Sequence, residues 1–274
     1  MTDLGLQARM IVVGGILFLF YLAAATMISV MTGISLLPVL LGGILIIPPI
    51  QYKLGKWMAL RGAEDLPEDP KYQHIHQMNE SLARDMGVKT PRLMITDMGQ
   101  PNAFAVGRKG AGAVVLTPQI IQLLERDELE GVIAHEIAHI KNRDSITMVI
   151  GQSIGMIVGY VAYFAILLGG ERNIGTYLLA IAASTLASML VTVFVLAISR
   201  YREYVADADA KQAVGSGDPL ARALEKLNAT AGASDVEIDD GRAALCIINA
   251  DRSLLDRIFA THPPSEKRIA RLRS

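Results

Sequence analysis

"GVIAHEIAHIKNRD", residues 131–144, holds two of the chain's five histidines four positions apart, around a glutamate and among aliphatic neighbours. On an α-helix, positions i and i+4 share one face a turn apart, so His135 and His139 can direct both rings at a single atom. Glu136 follows the first ring, about 100° around the axis, within reach of whatever that atom binds. The rest of the segment is Val132, Ile133, Ala134, Ile137, Ala138 and Ile140. Burying two imidazoles and a carboxylate there is costly without a partner, and a cation removes that cost. H-E-x-x-H on a helix is therefore a zinc-peptidase pattern. Two neutral rings supply two of the three protein ligands of a catalytic zinc and leave a position open to water. The plainer alternative is a helix whose histidines are buried and hydrogen-bonded with no ion.

The chain around this motif is too apolar for an ordinary soluble enzyme: 51% of 274 residues are hydrophobic and 19% charged. Four uncharged runs, 10–31, 34–50, 146–168 and 174–198, approach or exceed the roughly 20 helical residues that cross a bilayer. The second is short and ends at Pro48 and Pro49. "AAAT" (residues 23–26) resembles a secretory cleavage pattern, but the apolar run continues to Met31 and a second run follows at once, which favours a retained hairpin. Lysine and arginine flank the outer ends of both hairpins (Arg9; Lys53, Lys56, Arg61; Lys141, Arg143; Arg200, Arg202), whereas the loops 32–33 and 169–173 share one arginine. Both termini and the polar middle are therefore expected in the cytoplasm. The expected division is a hairpin in 1–52, the first part of a soluble domain in 53–145, a second hairpin in 146–198 and the rest of that domain in 199–274.

A formal charge of -1 gives no basis for a nucleic-acid partner. One cysteine, Cys246, excludes an internal disulfide framework and a thiolate-rich zinc site, and reads as a small buried hydrophobe. No intramembrane charge marks an ion path.

The polar middle reads as α+β. Asp69 is a possible cap with Pro70 at the first helical position, Ile75, Met78 and Leu82 give the apolar stripe, and Gly87 stops the helix. "RLMITDM", "NAFAVG" and "GAVVLT" read as three strands, the last two forming a hairpin. Thr117 and Pro118 open a short helix, and Asp127 with Glu130 resembles a capping box for the motif helix. His74 and His76 point in different directions and read as surface residues. "ASDVEIDDG", 233–241, reads as an acidic surface loop.

A third ligand must come from elsewhere. "SRYREYVADADA", 199–210, begins where the fourth run ends and offers Glu203 and, one helical turn on, Asp207. Taken alone, Glu203 is an ion-pair partner for Arg200; with the upstream motif it becomes the candidate carboxylate ligand, and Asp207 the acceptor of a liganding ring's N–H.

"HEIAH", then "SRYREYVADADA" after two spans, then "FATHPPSEKRIARL" near the carboxyl end, with "PNAFAVG" in the strand region, resembles the HtpX family of membrane zinc metalloproteases, in the same superfamily as the CAAX prenyl proteases. The likeness covers nearly the whole chain. It implies a mainly α membrane protein with four transmembrane helices and a cytoplasmic α+β, zincin-like (gluzincin) domain with a small sheet. It implies one Zn2+ per chain on His135, His139 and Glu203, with Glu136 as catalytic base. Asn102 and Ala103 would lie on an edge strand that pairs with substrate backbone, though Asn102 alone reads as a turn residue after Pro101. His262, held in "THPP", would hydrogen-bond the developing oxyanion, with Arg268 as a second candidate; without the family, His262 caps a turn and Arg268 is a solvated helix residue. The expected partners are protein or peptide substrates, chiefly membrane proteins, and the lipid bilayer. The implied setting is quality control in a prokaryotic cytoplasmic membrane. A CAAX-type processing enzyme and a non-catalytic zinc scaffold are the alternatives, the latter disfavoured because structural zinc is normally closed by four ligands, often cysteines.

Overall fold

Leucine-, isoleucine- and alanine-rich runs form helices in this computed structural model, which describes residues 4–171, 173–231 and 263–274. The helices α1 (Leu4–Thr32), α2 (Leu36–Leu45), α3 (Ile47–Ala59), α7 (Asp144–Gly169) and α8 (Ile174–Val214) supply four stretches long and apolar enough to cross a membrane: Ile11–Thr32, Leu36–Ala59, Asp144–Gly169 and Ile174–Val214. The chain divides into two compact units, Met1–Leu54 with Thr147–Tyr201, and Gly55–Ile146 with Arg202–Ser274.

In the first unit the inward-facing residues form two apolar clusters, Leu17 with Val191, Val195 and Ile198, and Tyr21 with Ala24, Ile157 and Val161. The opposite faces expose Ile11, Phe18, Leu178 and Leu186, a pattern that suits lipid rather than water. Small residues set the closest approach of α7 and α8. A Cβ added at Gly159 would stand 2.2 Å from Ser188 Oγ, so the helices meet nearly backbone to backbone. The few polar side chains find partners inside the unit. Tyr21 donates to the Leu40 carbonyl, Ser153 donates to Gln51 Oε1, and Gln51 Nε2 lies 3.4 Å from Met156 Sδ.

The second helical stretch does not end at the proline pair. α2 breaks at Ile46, and Pro48 and Pro49 sit in the first turn of α3, where an N–H has no intrahelical acceptor to lose. The prolines thus open a new helix that carries Lys53, Lys56 and Trp57 to Ala59.

The second unit is built on a four-stranded sheet of β1 (Glu64–Asp65), β2 (Arg92–Ile95), β3 (Ala103–Val106) and β4 (Ala113–Leu116), in the order β1-β2-β4-β3. β3 and β4 form the expected antiparallel hairpin, with Ala103 opposite Leu116 and Val106 opposite Ala113. β2 runs parallel to β4, and the short β1, which no alternation announced, pairs antiparallel with β2. β4 is buried on both faces. Val114 and Leu116 enter the main core, and Ala113 and Val115 a smaller one with Met94, Phe104 and Val106.

The main core lies between the sheet, α4 (Gln73–Asp85), α5 (Pro118–Leu123), the motif helix α6 (Arg126–Asn142), α9 (Asp218–Ala231) and α10 (Ser265–Arg273). Ile133, Ile137 and Ile140 of α6 meet Ile75 and Leu82 of α4 and Leu220 and Leu224 of α9. Gly131 allows the α6–α9 approach, since a Cβ there would lie 2.9 Å from the Leu220 backbone nitrogen.

Two helix starts differ from the sequence expectation. α4 opens at Gln73 rather than Pro70, because Asp69 accepts from the Lys71 and Tyr72 N–H groups and closes a turn before the helix. The capping box of α6 is Glu125 with Glu128, two residues before Asp127 and Glu130. Glu128 is the better partner because Lys226 Nζ, 2.7 Å away, holds its buried carboxylate in place. As expected, Thr117 caps α5 by accepting from the Ile120 N–H.

Candidate metal centre

α6 ends one turn after His139 because Arg143 takes a left-handed conformation (φ 58°, ψ 39°), and its N–H closes on the His139 and Ile140 carbonyls. α8 has 41 residues and so extends on the order of 60 Å, about twice the hydrocarbon thickness of a bilayer. Its C-terminal part carries Glu203 and Asp207. Asp209 fixes the register of that part against α6 by accepting from Lys141 Nζ and Asn142 Nδ2, both at 2.8 Å.

This register brings His135, His139 and Glu203 together, with one ligand atom from each lying within 4.8 Å of the others. His135 Nε2 is 3.0 Å from His139 Nε2 and 3.6 Å from Glu203 Oε2, and His139 Nε2 is 3.5 Å from Glu203 Oε1. Donors at about 2.0–2.2 Å from a tetrahedral zinc are separated by about 3.3–3.6 Å, close to these values.

The far side of each ring strengthens the fit. His135 Nδ1 faces Asp207 Oδ1 at 3.0 Å, and His139 Nδ1 faces Asp144 Oδ2 at 2.6 Å. A ring whose Nδ1–H donates to a carboxylate keeps its Nε2 lone pair free for an ion; the His139–Asp144 contact is such a hydrogen bond, and Asp207 stands at ion-pair distance from His135 Nδ1. Two lone pairs and a carboxylate then converge, an arrangement that only a cation or a proton satisfies. Burial and the Arg268 charge oppose a second proton on His135, but Asp207 and Glu203 outweigh them, and its pKa is pushed up to about 10. His139 is likewise raised, against burial, by Asp144.

Arg268 packs behind the centre. It is 1% exposed and binds Asp207 at 2.7 and 2.9 Å and Glu203 Oε2 at 3.0 Å, with Nη2 3.3 Å from His135 Nε2. Burial works against its charge, but Asp207, Glu203 and, more weakly, Glu136 hold the guanidinium fully protonated. A terminal-helix arginine is normally solvated; this one is drawn inward because Leu272 of the same helix joins the main core and Lys211 holds the Leu272 carbonyl at 3.0 Å. Glu136, next to His135 in the chain, is buried.

Ala103 begins the edge strand β3, and Asn102 directly precedes it. The Asn102 N–H donates to Thr117 Oγ1 at 2.9 Å, and its carbonyl accepts from the Thr117 N–H and hydroxyl at 3.0 and 3.1 Å. No described strand pairs with the far side of β3. His262, Cys246 and the acidic stretch 233–241 lie outside the described residues. His76, expected at the surface, is half-buried, with Nε2 3.2 Å from the Pro67 carbonyl.

Sequence spacing did not point to Asp144 or Arg202. Arg202 donates to Asp144 Oδ1 and to the Asn142 carbonyl, so a second carboxylate–arginine pair stands behind His139 as Asp207 and Arg268 stand behind His135. The available signal was an acid five residues after the second histidine, directly after the helix stop.

Comparison with known proteins identifies relatives of the chain. The model of peptidase family M48 matches residues 70–274. A protease HtpX homolog of Halobacterium salinarum is 48% identical over 97% of this chain and 100% of its own, and one from Sulfurihydrogenibium sp. is 36% identical over 78% of each. The crystal structure of S. mikatae Ste24p is similar in fold, with a TM-score of 0.65 and 18% identity over 95% of this chain; this chain spans 63% of that one. The resemblance, the mainly helical fold with a small mixed sheet and the metalloprotease assignment expected from the motifs therefore hold: the chain belongs to peptidase family M48, among its HtpX homologues.

Proposed function

We propose that this membrane metalloprotease is a zinc endopeptidase working at the cytoplasmic face of a prokaryotic membrane, with membrane-inserted or misfolded proteins as its clients. The observation that carries it is the convergence of His135 Nε2, His139 Nε2 and a Glu203 oxygen, each ring backed by a carboxylate. A nitrogen–nitrogen–oxygen set without thiolate suits zinc. When bound, the ion supplies Lewis acidity, polarising the scissile carbonyl and lowering a water's pKa from 15.7 toward about 7.

The chain's own residues do the rest. Glu136 accepts the proton of the attacking water and returns it to the departing amine nitrogen. Asp207 and Asp144 keep both rings in the tautomer that offers Nε2. Arg268, engaged by Asp207 and Glu203, is better placed to steady those carboxylates than to donate to an oxyanion; that role is proposed for His262. The position of β3 at the edge of the described sheet supports pairing of the Asn102–Ala103 stretch with an extended substrate backbone. Identity at 48% across essentially two whole chains supports an HtpX-type activity over prenyl-peptide processing.

The test is casein cleavage by detergent-purified protein. Activity should vanish with a strong chelator, return with Zn2+, and be absent from Glu136→Gln although that variant keeps its metal. Chelator-resistant cleavage, or parent-rate cleavage by Glu136→Gln, would refute the proposal.

A further inference from the structure

The buried pair Asp144–Arg202 sits behind His139 at a corner of the chain. Asp144 opens α7 directly after the left-handed Arg143, so the break between α6 and α7 turns its carboxylate back toward the helix just ended. Oδ2 stands 2.6 Å from His139 Nδ1, and Oδ1 accepts from Arg202 Nη2. The same Arg202 nitrogen also donates to the carbonyl of Asn142, the last residue of α6. One guanidinium therefore holds both the end of the ligand-bearing helix and the carboxylate that faces its second ligand. Both residues are mostly buried, at 7% and 9% exposed, where a carboxylate or a guanidinium alone would be destabilising.

We propose that Asp144, oriented by Arg202, is a positioning residue for the metal ligand His139. Its carboxylate accepts the Nδ1–H hydrogen bond, which fixes the tautomer and aims Nε2 at the ion. This rests on the metalloprotease reading of the three-ligand site. Its chemistry resembles that of Asp207 behind His135, but its origin differs. Asp207 comes from one turn beyond Glu203 on α8 and is tied to α10, whereas Asp144 and Arg202 belong to the first turn of α7 and to α8. Orientation of the second ligand thus depends on the start of α7 and the stretch of α8 beside Glu203 keeping their spacing.

The difference between a charged and a neutral acceptor gives the test. In Asp144→Asn a neutral amide replaces the charged acceptor, so the imidazole becomes less basic and its orientation less fixed. Loss of such a partner typically weakens metal binding by about 10- to 100-fold. The assay is Co2+ titration of metal-free, detergent-purified full-length protein, reading affinity by competition with a chromophoric chelator and, at saturation, the visible absorption of the Co2+ form. The expected result is an affinity weaker by about 10- to 100-fold and a displaced Co2+ spectrum for Asp144→Asn, with a smaller loss for Arg202→Gln, which keeps the carboxylate. Because Asp144→Asn removes a carboxylate from beside the buried Arg202 and can fail to fold, the double variant Asp144→Asn/Arg202→Gln is measured beside it and should show the same loss. Parent affinity and spectrum in either Asp144 variant, while His139→Ala loses the ion, would overturn the positioning role alone. Parent-like Co2+ binding by His139→Ala would instead refute the metal centre, and the positioning role with it.

Discussion

The two units of the chain treat polar groups in opposite ways. The unit of Met1–Leu54 and Thr147–Tyr201 is built from mainly apolar helices, touches through glycine and serine, and has isolated contacts such as Gln51–Ser153. The unit of Gly55–Ile146 and Arg202–Ser274 buries His135, Glu136, Asp144, Arg202, Glu203, Asp207 and Arg268 within a few elements. Such a concentration of charge is tolerable only where opposite charges are paired, and here the pairs Asp144–Arg202 and Asp207–Arg268 stand behind the two ligand histidines. In one unit a polar contact is incidental to packing; in the other the charges define the site.

That contrast is open to measurement. Glu136→Gln should show the largest effect, a loss of proteolysis of roughly 100- to 10,000-fold or more with metal content unchanged; a loss of metal in parallel would mean that Glu136 holds the site together and is not its base. Arg268→Ala leaves Asp207 and Glu203 without their buried counter-charge and should cost about 3–5 kcal/mol of stability, read from denaturant unfolding in detergent. A change below about 1 kcal/mol would show that the charge network is far looser than its distances imply. Gly131→Ala presses a methyl group onto the Leu220 backbone and should cost about 1–3 kcal/mol, the usual range for overpacking. In the apolar unit, Gln51→Ala removes the contact to Ser153 and should cost only about 0.6 kcal/mol, the average of interhelical hydrogen bonds in membranes. The exposed Arg92–Asp65 pair, 2.7 Å apart but about two-thirds exposed, gives the smallest expectation: Arg92→Ala should change stability by less than about 1 kcal/mol.

The same contrast explains what was legible in the sequence. The apolar helices announce themselves by composition, because lipid requires every outward side chain to be apolar and every backbone group to bond within its helix. Only the proline pair misled, since Pro48 and Pro49 read as a stop but serve as the first turn of α3. In the other unit, the apolar stripe of Ile75, Met78 and Leu82 gave α4, a capping pattern ahead of the motif gave α6, and one-turn spacing gave both the histidine pair and the Glu203–Asp207 pair. The α4 start moved because Asp69 closes a turn of its own, and the α6 cap because Glu128 has a cation behind it. Asp144 was hidden because its orientation depends on one left-handed residue, Arg143, which no motif marks. The burial of Arg268 depends on the packing of α10 through Leu272, a long-range contact without a local pattern.

The central claim is that one ion is held jointly by α6 and α8. Metal analysis of the purified parent and its Glu203→Ala variant tests it most directly. One zinc per chain in the parent and far below one in the variant is the predicted result; equal zinc in both would contradict it.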